Sequence, residues 1–369
     1  MRLAPPPFRA EHVGSLLRPA ELKRAFTRLR DGELDPARYE AALAAVIARA
    51  VALQEDVGLQ PITDGEFGRS SWFGFFFERM DGFRLEPAAF GFHDGEGRTY
   101  EWPTCVASAR IQRREGITTS EYLRLRGLTR RTPKVTMPTP SAFHFFRFHA
   151  PADPAVYPDV DAYWDDLVAV YRGELSDLAR LGAPYVQLDE VPLAMLCDPA
   201  IREQVRAAGA DPEALVRRYV ETLRRVLHDR PAGLTVGLHL CRGNFRGRWM
   251  ASGGYEPVAE RLFNDVPADA FFLEFDSPRA GDFSPLRLMP ADRRVVLGLV
   301  STKTPGLEAP DDLRRRLDEA SRHVALERLS LSPQCGFASV AGGNALTDEQ
   351  QGAKLRLVVE TARAVWREP

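Results

Sequence analysis

The feature that most constrains this chain is a series of eight short apolar runs, each closing on polar or reactive residues. They are FRAEHVG (8–14), LQPITDG (59–65), PKVTMP (133–138), PYVQLDE (184–190), LTVGLHL (234–240), AFFLEFD (270–276), RVVLGLV (294–300) and RLSLSPQ (328–334). Several are apolar nearly throughout, as strands of a parallel sheet covered on both faces must be. Helical patterns separate them. Asp35-Pro36 opens one that ends at Gly58, with the cap and first-turn proline of a helix start. Others run from Asp159 to Leu181, from Asp211-Pro212, from Pro310 with Asp311 and Asp312, and from Thr347 to Trp366. Eight strand–helix units with short connections predict an α/β chain of the (β/α)8 TIM-barrel class. A doubly wound open sheet is the structural alternative, but no glycine-rich phosphate loop follows the first run.

Residues 67–132 break the rhythm with FGRSSWFGFFFERMDGF and an Arg-rich stretch bearing Tyr and Trp. This is too long for a plain connection, so it reads as an insertion between strands two and three, over the barrel mouth. The whole chain, 1–369, reads as one catalytic barrel domain. Basic residues are matched by acids to a net charge of -2, which argues against nucleic acid as a partner. No apolar run approaches the roughly 20 residues that span a bilayer. The N-terminus lacks the apolar core of a secretory signal. The cysteines, at 105, 197, 241 and 335, are too few and too dispersed for a disulfide scaffold. A cytoplasmic enzyme with reduced thiols is expected.

Barrel enzymes build their sites at the C-terminal ends of the strands. Here those ends offer His12, Gly14 and Ser15; Asp64 and Glu66; Thr139 and Ser141; Asp189 and Glu190; His239 and Cys241; Glu274 and Asp276; Ser301 and Lys303; and Cys335. Polar strand ends are ordinary. Two of four cysteines among them, and a glutamate inside FFLEFD, are not. Strand alternation gives His239 and Cys241 one direction. Strands five, six and eight bring His239, Cys241, Glu274 and Cys335 to neighbouring positions. One imidazole, two thiolates and one carboxylate suit tetrahedral Zn²⁺. The residues alone leave other readings open: His239 as a hydrogen-bonded core histidine, the thiols as inert, and Glu274 as the partner of Arg242 or Arg279.

The motifs HVGSLLRP (12–19), DGEF (64–67), VQLDEVP (186–192), HLC (239–241), Glu274 and SPQCGFAS (332–339) resemble, in order, the catalytic half of cobalamin-independent methionine synthase. The likeness is greater still to the short, single-barrel members, a group that includes the epoxyalkane:coenzyme M transferases. The resemblance implies a zinc-dependent thiol S-alkyltransferase that moves a methyl group from a folate- or corrinoid-type donor to homocysteine. It implies His239, Cys241, Glu274 and Cys335 as zinc ligands; as a hard oxygen donor beside soft sulfurs, Glu274 is the one expected to yield. It implies Gly14 and Ser15 at the amino-acid carboxylate, and Glu66 and Asp189 at the ammonium. Ser141 is read as a further substrate contact. Proton transfer would fall to a histidine, His144 or His12. A homodimer is the oligomer such barrels often adopt. The chain departs from the full-length synthase where the aromatic pterin platform should follow strand three, and the loop VSTKTPGLE lacks the expected Asp and His. Other electrophiles or thiols, a metal-free decarboxylase-like barrel and a non-catalytic zinc-holding protein are the competing readings.

Overall fold

A computed structural model describes residues 6–93 and 99–367. Residues 94–98 of the expected insertion, and the outermost residues of the expected domain, lie outside that range. Seven strands form one curled parallel sheet. In chain order they are β1 (Pro61–Ile62), β2 (Thr132–Pro138), β3 (Tyr185–Asp189), β4 (Thr235–Leu240), β5 (Ala270–Glu274), β6 (Arg294–Val300) and β7 (Leu329–Pro333), each paired with the next. β3 and β5 are buried at every position, as a sheet covered on both faces requires.

The helices start where the sequence marks them. Asp35 accepts hydrogen bonds from the Ala37 and Arg38 amides and caps Pro36–Asp56. Asp159 caps Val160–Arg180, and Asp211 caps Pro212–Leu227. Thr347 and Gln350 form a reciprocal capping box on Asp348–Trp366. Among the described residues, no helix is long and apolar enough to cross a membrane.

The first expected strand, 8–14, is corrected to a single parallel bridge, Ala10 to Leu331. The reason lies in its carbonyls, which side chains from neighbouring elements occupy. Lys134 Nζ donates to His12 O, Gln187 Nε2 to Val13 O at 2.6 Å and Thr63 Oγ1 to Gly14 O at 2.7 Å. Strand 59–65 likewise shrinks to two residues, because the Gln54 amide takes both the N–H and the C=O of Thr63.

The 67–132 segment has structure of its own. It contains a short helix (Gly74–Glu78), an antiparallel pair (Met80–Pro87 with Pro103–Arg113) and a helix at Thr119–Arg126. Helix Ala20–Arg30, absent from the sequence reading, precedes the capped helix at Pro36.

Candidate metal centre and active site

His239 lies in the last two residues of β4, Cys241 follows that strand directly, and Cys335 follows β7 by two positions. The parallel register sets His239 beside Asp189 on one side and Phe272 on the other. The ligand atoms of His239, Cys241 and Cys335 all lie within 4.8 Å of one another, and all three residues are buried. The two sulfurs are 3.6 Å apart. Neither ring nitrogen of His239 has a hydrogen-bond partner. The contact between the thiols depresses the Cys241 pKa and raises that of Cys335, since one proton is held between two sulfurs.

Glu274 is not in that cluster. Its Oε1 accepts from Lys303 Nζ at 3.0 Å and Arg279 Nη2 at 3.2 Å, and its Oε2 from the Arg242 amide at 2.6 Å. Burial alone would raise its pKa, but Lys303 and Arg242 outweigh that and hold it at about 2. Asp276 takes Ser301 Oγ at 2.7 Å and stands 3.7 Å from both Lys303 and Arg279.

A cavity of about 370 Å³ opens onto the thiols. His239, Cys241, Cys335, Glu66, Asp189 and Ser15 line one part, and Trp72, Phe73, Trp102 and Phe146 wall another. Glu66 sits at φ +59, a left-handed conformation held by its amide bond to Asp64 Oδ1 at 2.9 Å and by Arg18 at its carbonyl. Its carboxylate accepts from Thr136 Oγ1 at 2.7 Å and faces Arg69 at 3.4 Å. A Cβ on Gly14 would lie 2.8 Å from that carboxylate, and one on Gly336 would lie 2.0 Å from Ser15 Oγ. Asp189 accepts from Gln187 Nε2 at 2.8 Å. Burial first, then repulsion from Glu66, raises its pKa to about 7 against the pull of His239.

Of the expected site residues, His12, Gly14, Ser141, His144 and Glu274 do not line the cavity. His144 faces away from the cavity, with Nδ1 2.8 Å from Tyr219 Oη and its ring against Trp164. Burial drops its pKa to about 3, so it stays neutral as a core histidine. Ser141 donates to Glu190 Oε2 at 2.5 Å, in a buried cluster that does not line the cavity.

The profile described as the catalytic domain of cobalamin-independent synthase matches residues 8–364. The chain belongs to the cobalamin-independent synthase family. Within that family it is 40% identical to the uncharacterized protein YxjH of Bacillus subtilis, over 98% of this chain and 95% of that one. It is 26% identical to a Pyrococcus abyssi protein named methionine synthase, over 88% and 85% of the two chains. A Listeria monocytogenes structure, provisionally named a vitamin-B12 independent methionine synthase, superposes with a TM-score of 0.76 and 29% identity, covering 99% and 100%.

The sequence reading missed two features. The aromatic wall draws Trp72, Phe73 and Trp102 from the 67–132 segment, which is expected over the barrel mouth but whose aromatics carry no individual role in the sequence. Lys303 was noted at a strand end, but no sequence spacing ties it to Glu274.

Proposed function

We propose that this protein is a zinc-dependent thiol S-methyltransferase acting on homocysteine, with a methyl-folate or methyl-corrinoid type donor. The observation that carries this reading is the His239–Cys241–Cys335 cluster in the wall of the cavity that also bears Glu66, Asp189 and Ser15. We take residues 8–17 as the eighth stave of a barrel whose strand ends form that wall.

The residues fit Zn²⁺. Two thiolates on one tetrahedral zinc stand about 3.8 Å apart, given Zn–S bonds of about 2.3 Å, and the sulfurs here are at 3.6 Å. A buried imidazole with no partner is costly unless something ligates it. A bound Zn²⁺ would supply the Lewis acidity that keeps a substrate thiol ionised near neutral pH.

The chain's own groups then position the acceptor. Glu66 and Asp189 present two carboxylates to an ammonium. Ser15, fixed through its contact with the Ala338 amide at 3.2 Å, presents a hydroxyl to the carboxylate. The aromatic wall keeps water from the sulfur. In the transfer, the acceptor sulfur forms a bond to the methyl carbon while the carbon's bond to the donor atom breaks, the electron pair leaving with the donor.

The test pairs zinc analysis with product detection. Wild-type protein should carry close to one zinc and form methionine from homocysteine. Cys335→Ser should lose both, and retained zinc with retained alkylation would sink the reading.

One observation favours a second donor class. No Lys or Arg lines the cavity among the described residues, so an anionic polyglutamate tail finds no counter-ion there. A tail-less methyl donor, or an epoxide with another small thiol, fits that wall. A donor and thiol screen by mass spectrometry separates the cases.

A further inference from the structure

We propose that the methyl donor is an onium compound, a methylated sulfonium or quaternary ammonium ion, seated against the aromatic wall of the cavity. The proposal rests on the thiol-methylation reading above and narrows only its donor.

The wall is a fixed set of aromatic faces. Between ring centroids, Trp102 stands 4.5 Å from Phe146 and 5.3 Å from Phe73, and Trp72 stands 5.3 Å from Phe73. Trp102 Nε1 donates to the Phe90 carbonyl at 2.8 Å, and the Trp72 amide donates to the Ser339 carbonyl at 2.8 Å, so both residues are anchored. Aromatic faces attract cations, and those of Trp do so most strongly.

The charge around the wall has the matching sign. Among the described residues, the acids that line the cavity are Glu66, Asp189 and Glu101, and no Lys or Arg joins them. The acceptor's ammonium takes the first two. Glu101, next to Trp102 in the chain, remains for a second cation.

The proton requirement points the same way. An uncharged amine gives up its methyl group only with protonation of its nitrogen, a task for a general acid. The two histidines expected to supply that proton are elsewhere. His144 is held by Tyr219, His12 Nε2 lies 3.2 Å from the Pro61 carbonyl, and neither lines the cavity. An onium donor needs no such proton. The acceptor thiolate forms a bond to the methyl carbon as the carbon–S⁺ or carbon–N⁺ bond breaks. The bonding pair stays on the donor heteroatom, which leaves as a neutral thioether or amine. The thiol proton has already gone to solvent. Opposite charges are thereby annulled, a change that a cavity closed to water favours.

Binding can be read apart from turnover. Choline and its uncharged carbon isostere, 3,3-dimethylbutan-1-ol, are titrated into the protein by calorimetry. Choline should bind at least about tenfold more tightly, and Trp102→Leu should remove most of that difference. Glu101→Gln, at an exposed position, should weaken choline by about threefold. An isostere that binds as tightly as choline overturns the proposal, as does a folded Trp102→Leu that keeps the full difference. Should that variant fail to fold, Trp72→Leu replaces it, and the wild-type comparison decides without either. Turnover separates the two sources. Methyl-deuterated S-methylmethionine and glycine betaine are each offered with homocysteine, beside 5-methyltetrahydrofolate and methylcobalamin. Labelled methionine from the first marks a sulfonium donor, and from the second a quaternary ammonium. Methionine formed only from the folate or the corrinoid overturns the proposal and leaves thiol methylation standing. No methionine from any donor overturns the functional reading itself.

Discussion

Lys134 and His239 are both buried in the same sheet, at 1% and 2% exposure, yet their surroundings are opposite. Lys134 donates to Glu11 at 3.2 Å, to Gln187 at 3.1 Å and to the His12 carbonyl. Glu11 in turn accepts from the Phe8 amide and the Tyr185 hydroxyl. His239, toward the C-terminal ends of the strands, has two ring nitrogens and no partner for either. Both sets pay for burial, but only the first is repaid within the chain. Buried charge as such therefore belongs to the fold. It is the unpaired buried group, beside two thiols and a cavity, that points to a ligand.

Substitutions can break or sharpen that contrast. Lys134→Met strands Glu11 as an unpaired buried charge, so stability should fall by about 3–5 kcal/mol in denaturant titration. Its zinc content should not change, and a loss of metal without loss of stability would erase the distinction.

Asp64 is an intermediate case. One of its oxygens holds the Glu66 turn and the other has no partner. Burial first, then Glu121, raises its pKa from 3.8 to about 6. Below the lower value both folded and unfolded chains are protonated. Between the two, the unfolded chain releases its proton and the folded one keeps it, so stability is lost as pH rises through that window. Asp64→Asn should remove this slope and gain about 3 kcal/mol at pH 8. A parallel pH profile for wild type and variant would contradict it.

Gly336→Ala drives a methyl into Ser15 Oγ. Acceptor KM should rise about tenfold with kcat little changed, the mark of lost ground-state binding. His144→Phe loses only the Tyr219 bond, worth about 1 kcal/mol, and steady-state kinetics should show full turnover. A large drop in kcat would restore His144 to the reaction. The smallest effect belongs to His239→Leu in metal-stripped protein. Removing an unsatisfied polar group should leave stability within about 1 kcal/mol of wild type, in contrast to Lys134→Met.

The sequence made the sheet strands legible because a strand covered on both faces must be apolar, and 294–300 emerges at its expected bounds. The capped helices followed from Asp35, Asp159, Asp211 and Thr347, whose side chains bond the first free amides. The run at 8–14 looked like the other strands. It pairs only once because Lys134, Gln187 and Thr63 claim its carbonyls, and no local pattern encodes such distant partners.

For the site, alternation aimed His239 and Cys241 together, and the strand-end reading of the barrel brought Cys335 to meet them. His144 shows the limit of proximity in sequence. It follows a strand end by a few residues, yet the chain turns it into a nest of Trp164, Tyr163 and Tyr219. By itself, then, the sequence determined the strand–helix rhythm, the capped helix starts and the direction of His239 and Cys241, because periodicity and capping are local. Only the tertiary structure decided which aromatics of the 67–132 segment wall the cavity, and that Glu274 answers to Lys303 and Arg279. The first depends on apolar packing over a long insertion, and the second on which charges meet between positions 29 residues apart; burial makes such pairing compulsory without naming the partner.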